Sequence, residues 1–201
     1  MKLILASTSD YRRAILQKLL IPFTCASPMV DETPLANESP NALVARLALA
    51  KAQSVAETHN GLIIGSDQVA CVDGTILGKP GNFANAVQQL TFLAGKTVIF
   101  YTGLCVYDSA TNRHESVVEL FNVTFKPLNH SHIVTYLNAE QPYDCAGSFK
   151  SEGLGICLFD KLDGRDPNTL IGLPLIALIE LLAKFDVDVF NYIDSQLYPN
   201  H

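Results

Sequence analysis

Two short, uninterrupted apolar runs constrain this chain most. Leu3 to Ala6 and Leu62-Ile63-Ile64 carry no charge and give way at once to small polar residues. Ser7-Thr8-Ser9-Asp10 follows the first run and Gly65-Ser66-Asp67-Gln68 the second. Runs of this kind mark strands buried on both faces. The row of N-cap residues after the first run opens a helix, expected over about Tyr11 to Leu20. Ala14, Ile15 and Leu19 would face inward and Pro22 would stop it. The second run should end as a strand at Gly65, leaving Asp67 in a turn at its carboxyl end.

The pattern continues down the chain. Phe23 to Ala26 reads as a strand and Pro28 to Pro40 as a polar loop. Ser39-Pro40 places an N-cap before a proline at the first helical position, so a long helix should run to about Glu57. Asp73-Gly74 is a turn and Gly78-Lys79-Pro80-Gly81 a loop. Asn82 caps a helix with Phe83, Val87 and Leu90 on one stripe. Thr97 to Tyr107 and Val117 to Phe125 form a hairpin, rich in β-branched and aromatic residues. Asn129 caps a short helix to Leu137. A glycine-punctuated loop, Cys145 to Gly155, precedes a strand over Ile156 to Leu162. A second loop, Asp163 to Gly172, leads to the last helix, and 191–201 reads as a frayed tail. Strands and helices that alternate, with a hairpin inserted, predict an α/β domain with a mixed sheet, one domain over 1–201.

Composition removes several function classes. The net charge is -6, which disfavours a nucleic-acid polymer or an anionic membrane as partner, so phosphate binding must come from a few local cations. The five cysteines, Cys25, Cys71, Cys105, Cys145 and Cys157, show no zinc or redox spacing and read as reduced thiols of a cytoplasmic protein. The apolar start is too short for a signal or a membrane span. The five histidines are scattered, so none is read as a metal ligand.

Four clusters carry chemistry. Ser7-Thr8-Ser9-Asp10-Tyr11-Arg12-Arg13 is a strand-to-helix turn where backbone N–H groups, the helix dipole and two guanidinium groups can hold an anion. The same pattern also describes an ordinary capped helix. Val30-Asp31-Glu32 offers oxygen ligands for a divalent cation, or is an acidic surface loop. Lys51 falls on the apolar stripe of the long helix, where a lysine either snorkels to water or is held for a purpose. Asp67, at a strand end, can bind metal, activate water or brace a turn. The segment from Cys145 to Gly155 combines three glycines with Lys150 and Glu152, which suits close approach to a ligand or a mobile loop. A dinucleotide binder would need a Gly-x-Gly-x-x-Gly after a strand, and none is present.

Taken together and in order, these features resemble the Maf family of nucleotide pyrophosphatases over about Lys2 to Ala183. The resemblance rests on Ser7, Ser9, Arg12 and Arg13, on Val30-Asp31-Glu32, Arg46 with Lys51, Gly65-Ser66-Asp67, Gly78-Lys79-Pro80 and Ala146-Gly147. Asp10 departs from the family's usual proline. Gly65-Ser66-Asp67-Gln68, Ser148-Phe149-Lys150-Ser151-Glu152-Gly153 and Gly164-Arg165-Asp166-Pro167-Asn168-Thr169 are similar to the branch that hydrolyses 7-methyl-GTP. The dTTP/UTP branch usually has threonine at the position of Gln68.

The resemblance implies a long twisted mixed sheet flanked by helices, with two lobes and a central cleft, as in inosine-triphosphate pyrophosphatases. It implies attack of water at the α-phosphorus with pyrophosphate leaving, and a divalent cation, Mg or Mn, as cofactor. Ser7, Arg12, Arg13, Lys51 and Lys79 would meet phosphate. Glu32 and Asp67 would hold the metal, Asp67 being also the proton acceptor. Tyr11, Gln68 and Glu152 would set base specificity. A cationic methylated base stacks on an aromatic face such as Tyr11, and a carboxylate such as Glu152 suits the guanine edge. The partner would be a small nucleotide, and members of the family are often homodimers. Two other readings stand beside this one: the dTTP/UTP branch, and a nucleotide-binding regulator of cell division with little hydrolysis.

Overall fold

Alternation along short strands sets the layers of this fold. The computed structural model describes residues 2–191 and 193, so the expected tail, 191–201, lies otherwise outside the described residues. In chain order the elements are β1 (Leu3–Ala6), α1 (Asp10–Gln17), β2 (Phe23–Ala26), α2 (Pro40–Ala56), β3 (Leu62–Val72) and β4 (Thr75–Leu77). There follow α3 (Phe83–Leu93), β5 (Thr97–Asp108), β6 (His114–Phe125), α4 (His130–Glu140), a 3-10 turn (Leu154–Leu158), β7 (Phe159–Gly164), α5 (Pro167–Ile171) and α6 (Leu175–Ala183). The seven strands form one sheet in the order β2-β1-β3-β5-β6-β7, with β4 paired to β3. β1 runs parallel to β2 and β3, whereas β4 is antiparallel to β3 and β7 to β6. The mixed α/β sheet expected from the sequence is therefore present.

The described residues divide into two compact units, one drawn from the spans Met1–Gln68, Thr102–Glu119 and Asp166–His201 and the other from Val69–Tyr101 and Leu120–Arg165. In the first unit the period of two sorts side chains cleanly. Leu3, Leu5, Leu62, Ile64, Leu104 and Val106 pack with α1 and α6 on one face. Ile4, Ala6, Ile63, Cys105 and Tyr107 pack with Ala48, Ala52 and Val55 of α2 on the other. Each fully buried leucine-sized side chain contributes about 1.5–3 kcal/mol against the ordering entropy. The second unit centres on four phenylalanines, Phe100, Phe125, Phe149 and Phe159, in edge-to-face pairs with centroids 4.8 to 5.6 Å apart. Quadrupolar rings prefer that arrangement to a face-to-face stack.

Several boundaries differ from the sequence expectation. α1 ends at Gln17, before Pro22 acts, because Leu20 turns left-handed with φ 57. Its inner face is Ile15 and Leu16, with Leu19 just beyond the helix; Ala14 is exposed. α3 buries Ala86, Leu90 and Leu93, a stripe rotated away from Phe83. β7 starts at Phe159 because Leu154–Leu158 winds into a 3-10 turn. The loop expected over Asp163 to Gly172 contains the end of β7 and the five-residue helix α5. All five cysteines are free thiols. No helix among the described residues is long and apolar enough to cross a membrane.

Candidate functional site

The sequence predicts a strand end at Gly65. The strand does not end there: β3 runs on through Ser66, Asp67 and Gln68 to Val72. Gly65 serves close packing instead. A Cβ built on it would lie 2.0 Å from the Ala48 carbonyl oxygen of α2, and one built on Gly103 of β5 would lie 2.1 Å from that of Val44. Two glycines on neighbouring strands thus let α2 lie directly against the sheet. Lys51, nearly one turn beyond Ala48, is thereby laid beside Asp67.

Lys51 is buried, and its Nζ donates to Asp67 Oδ1 at 2.6 Å. The same ammonium is 2.6 Å from Glu32 Oε1. Asp67 is also buried, whereas the Glu32 side chain is 61% exposed, so the cluster opens to solvent on the Glu32 side. A charge removed from water this far persists only with partners. The loop that carries Glu32 is held by Arg46 of α2. Its guanidinium makes a two-pronged pair with Glu38, Nε to Oε1 at 2.6 Å and Nη2 to Oε2 at 2.7 Å, and Nη2 reaches the Thr33 carbonyl at 3.2 Å. Arg46 pulls the Glu38 carboxyl down to about 2, aided by the Leu35 N–H that donates to it.

The turn after β1 supplies the next part. Ser7 is buried and its Oγ accepts from Ser9 N at 3.1 Å, while Ser9 caps α1. Arg12 is half-buried, and its Nε donates to the Gly172 carbonyl at 2.9 Å. Ser66 Oγ donates to that same carbonyl, also at 2.9 Å. Burial lowers the Arg12 pKa, while the nearby charges of Asp67 and Glu32 oppose that shift. Arg12, Lys51, Glu32 and Asp67 therefore share one electrostatic neighbourhood of two cations and two anions. Arg13 points elsewhere: its Nη2 pairs with Asp10 Oδ1 at 2.8 Å on the surface. Asp10, the departure from the family pattern, thus engages Arg13. Tyr11 keeps part of its ring exposed on the same helix.

Gln68 lies next to Asp67, facing Thr102 of β5 and the backbone of α5. Its Nε2 is 2.9 Å from Thr102 Oγ1, 2.7 Å from the Thr169 carbonyl and 3.2 Å from that of Leu170. Asp166 fixes α5 in turn. Buried, it accepts from Asn168 N at 2.8 Å and from Ile176 N of α6 at 2.9 Å, tying two helix starts together. Sequence reasoning assigned no role to Thr102, Asp166 or Gly172. The Asp166-Pro167 pair, inside the segment Gly164 to Thr169 that resembles one branch of the family, also repeats the N-cap and proline signal of Ser39-Pro40.

Lys79 and Glu152 belong to the second unit. Lys79 is exposed in the loop after β4, and Glu152 is exposed and accepts from Ser151 Oγ at 3.0 Å. Gln89 of α3 braces both loops: its Nε2 donates to the Gly78 carbonyl at 3.1 Å and its Oε1 accepts from Ser148 Oγ at 2.5 Å.

No group of three or more His, Cys, Asp and Glu that could hold a metal ion occurs among the described residues. The donor set that does gather is two carboxylates brought onto one ammonium. Hard oxygen donors of this number fit magnesium or manganese, which take their remaining ligands from water and substrate phosphate.

The arrangement defines an α/β protein with two acids gathered on a buried lysine at the sheet. Its fold is shared by a HAM1 protein from Coxiella burnetii, which aligns with a TM-score of 0.53 at 14% identity over 92% of this chain and 99% of that one. Residues 2–185 match the Maf family, described as Maf-like protein, and the chain belongs to that family. It is 68% identical over 192 residues to a 7-methyl-GTP pyrophosphatase of Pseudoalteromonas atlantica, covering 96% of this chain and 99% of the relative. A protein of the same name from Colwellia psychrerythraea is 61% identical, covering 93% of this chain and 94% of the relative. One from Vibrio vulnificus is 56% identical, covering 94% and 98%.

Proposed function

We propose that this protein is a nucleotide pyrophosphatase that hydrolyses 7-methyl-GTP to 7-methyl-GMP and pyrophosphate. The observation that carries the reading is the buried Lys51 ammonium held between Asp67 and Glu32 at 2.6 Å from each. Acids and cations at that spacing suit a triphosphate whose charge grows on the leaving group. The relatives' shared name supports the choice of nucleotide.

In this mechanism Asp67 accepts a proton from the attacking water, whose oxygen bonds to the α-phosphorus. The bond from that phosphorus to the bridging oxygen breaks, and the electron pair leaves with pyrophosphate. Lys51 holds Asp67 in place, and the ammonium N–H not used by Asp67 and Glu32 is left for a phosphoryl oxygen. Arg12, anchored at Gly172 through Nε, has its remaining N–H groups for phosphate, and Ser7 lies in the same turn. Glu32 and Asp67 would hold a divalent cation, which when bound neutralises charge on the transferring phosphoryl group. Tyr11 offers a partly exposed ring to a cationic base. For Arg13, Lys79 and Glu152 the proposal rests on the family pattern alone: phosphate contacts for the first two and a base-edge contact for the third. A cytoplasmic location and a homodimer belong to the same proposal on the same ground.

Hydrolysis in oxygen-18 water tests the reaction. Label is expected in 7-methyl-GMP and none in pyrophosphate, with GTP, dTTP and UTP turned over more slowly. Release of inorganic phosphate and a diphosphate, or label in pyrophosphate, would overturn it.

A further inference from the structure

The surroundings of Gln68 decide which way its amide points. The atom closest to the Thr169 and Leu170 carbonyls, at 2.7 and 3.2 Å, must be the nitrogen, because carbonyl oxygens only accept. Thr102 closes the set. Its hydroxyl is fully buried and gives its single proton to the Thr169 carbonyl at 3.0 Å. Towards Gln68 it therefore has only a lone pair, which takes an amide proton at 2.9 Å. A flipped amide would set Oε1 against two carbonyl oxygens and a hydroxyl whose proton is already committed. Both amide protons are thus consumed by the protein. None of the hydrogen bonds of Gln68 among the described residues uses Oε1, which lies by Gly172 on the side where the Arg12 guanidinium also lies.

We propose that Thr102 is a positioning residue which, with the backbone of α5, locks the Gln68 amide so that it offers a bound base only an acceptor. This rests on the nucleotide reading above. The base that fits must then turn an N–H towards Gln68. Guanine does so through N1–H and its 2-amino group. A base whose facing edge carries only lone pairs or C–H meets an unpaired acceptor and is refused. Thr102 contributes to that choice without touching substrate.

The test compares wild type with Thr102→Val and Thr102→Ser. The readout is the ratio of kcat/KM for 7-methyl-GTP to that for the 7-methyl derivative of purine riboside triphosphate, whose base edge has no N–H. Valine keeps the shape and removes the hydroxyl; the ratio should fall about five- to tenfold, mainly through KM, the size of one neutral hydrogen bond. Serine restores the hydroxyl and should bring the ratio back to within about twofold of wild type, since the same hydrogen bonds are available. An unchanged ratio in Thr102→Val, or an equal loss on both nucleotides, overturns the proposal. A second readout needs no substrate: hydrogen exchange of the Gln68 side-chain amide by NMR. It should be slow in wild type and Thr102→Ser and faster in Thr102→Val. Fast exchange in wild type overturns the lock outright and decides the matter should the valine variant not fold. Slow exchange in a wild-type protein that hydrolyses neither nucleotide would sink the activity reading while leaving the lock intact.

Discussion

Lys51 Nζ and Asp67 Oδ1 lie 2.6 Å apart with both side chains buried, on a helix and a strand that two glycines allow to touch. Neither charge is comfortable alone in that position. Together with Glu32 they form a set in which removing one member changes the needs of the others.

Replacing Lys51 by methionine should therefore do more than lower activity. It leaves Asp67 buried beside Glu32 without its cation, a loss of about 3 kcal/mol of stability by analogy with other broken buried pairs. A divalent cation held by the two carboxylates would recover part of it by mass action. Thermal melts with and without magnesium check this. The magnesium-induced rise in Tm should be larger in Lys51→Met than in wild type; equal rises would argue against Glu32 and Asp67 as metal ligands.

The brace between Arg46 and Glu38 gives a pH dependence whose sign is fixed. The folded-state pKa of Glu38 is depressed from 4.5 to about 2, so its contribution is complete above the unfolded value and is lost as pH falls towards 2. The difference in Tm between wild type and Glu38→Gln should be steady near neutral pH and shrink between about pH 4 and 2. Because the brace holds the loop carrying Glu32, the same variant should weaken magnesium dependence at neutral pH. A Tm difference independent of pH would contradict the pairing.

Gly65→Ala is expected to be costly although alanine is small. Its Cβ would meet the Ala48 carbonyl at 2.0 Å, so α2 must move away from β3. A stability loss of about 2 kcal/mol or more should accompany the shift, as for other overpacked cores. Lys51 moves with α2, so kcat should fall as well. The control is Gly74→Ala, where no atom lies within 4 Å of the added carbon, though the left-handed φ of 78 adds local strain. That variant should keep kcat. Loss of kcat in both alike would separate the glycine effect from the site.

Much of this architecture was legible because its signals are local. Ser9, Ser39 and Asn82 each cap the helix that the sequence placed after them. The runs Leu3–Ala6 and Leu62–Ile64 are strands, and Phe121, Val123 and Phe125 alternate inward as expected. The misreadings have a common physical cause. Gly65 looks like a strand terminator locally but answers to a helix packed across it. α5 is too short to show a helical period. The contact of Lys51 with Asp67 spans 16 residues and that of Arg12 with Gly172 spans 160, so no spacing rule could announce them. Asp67 was found as a candidate for the wrong local reason: it sits within a strand, not in a turn after one.

If Asp67 takes the proton from the attacking water, the reaction cannot keep its rate without that carboxylate. The most direct measurement is single-turnover pyrophosphate release from 7-methyl-GTP by wild type and Asp67→Asn, with nucleotide affinity measured alongside. Asparagine can still accept from Lys51, so the fold and binding should persist while the rate falls about 10²- to 10⁴-fold, the range for loss of a general base. A variant that binds as before and hydrolyses at the wild-type rate would contradict the account.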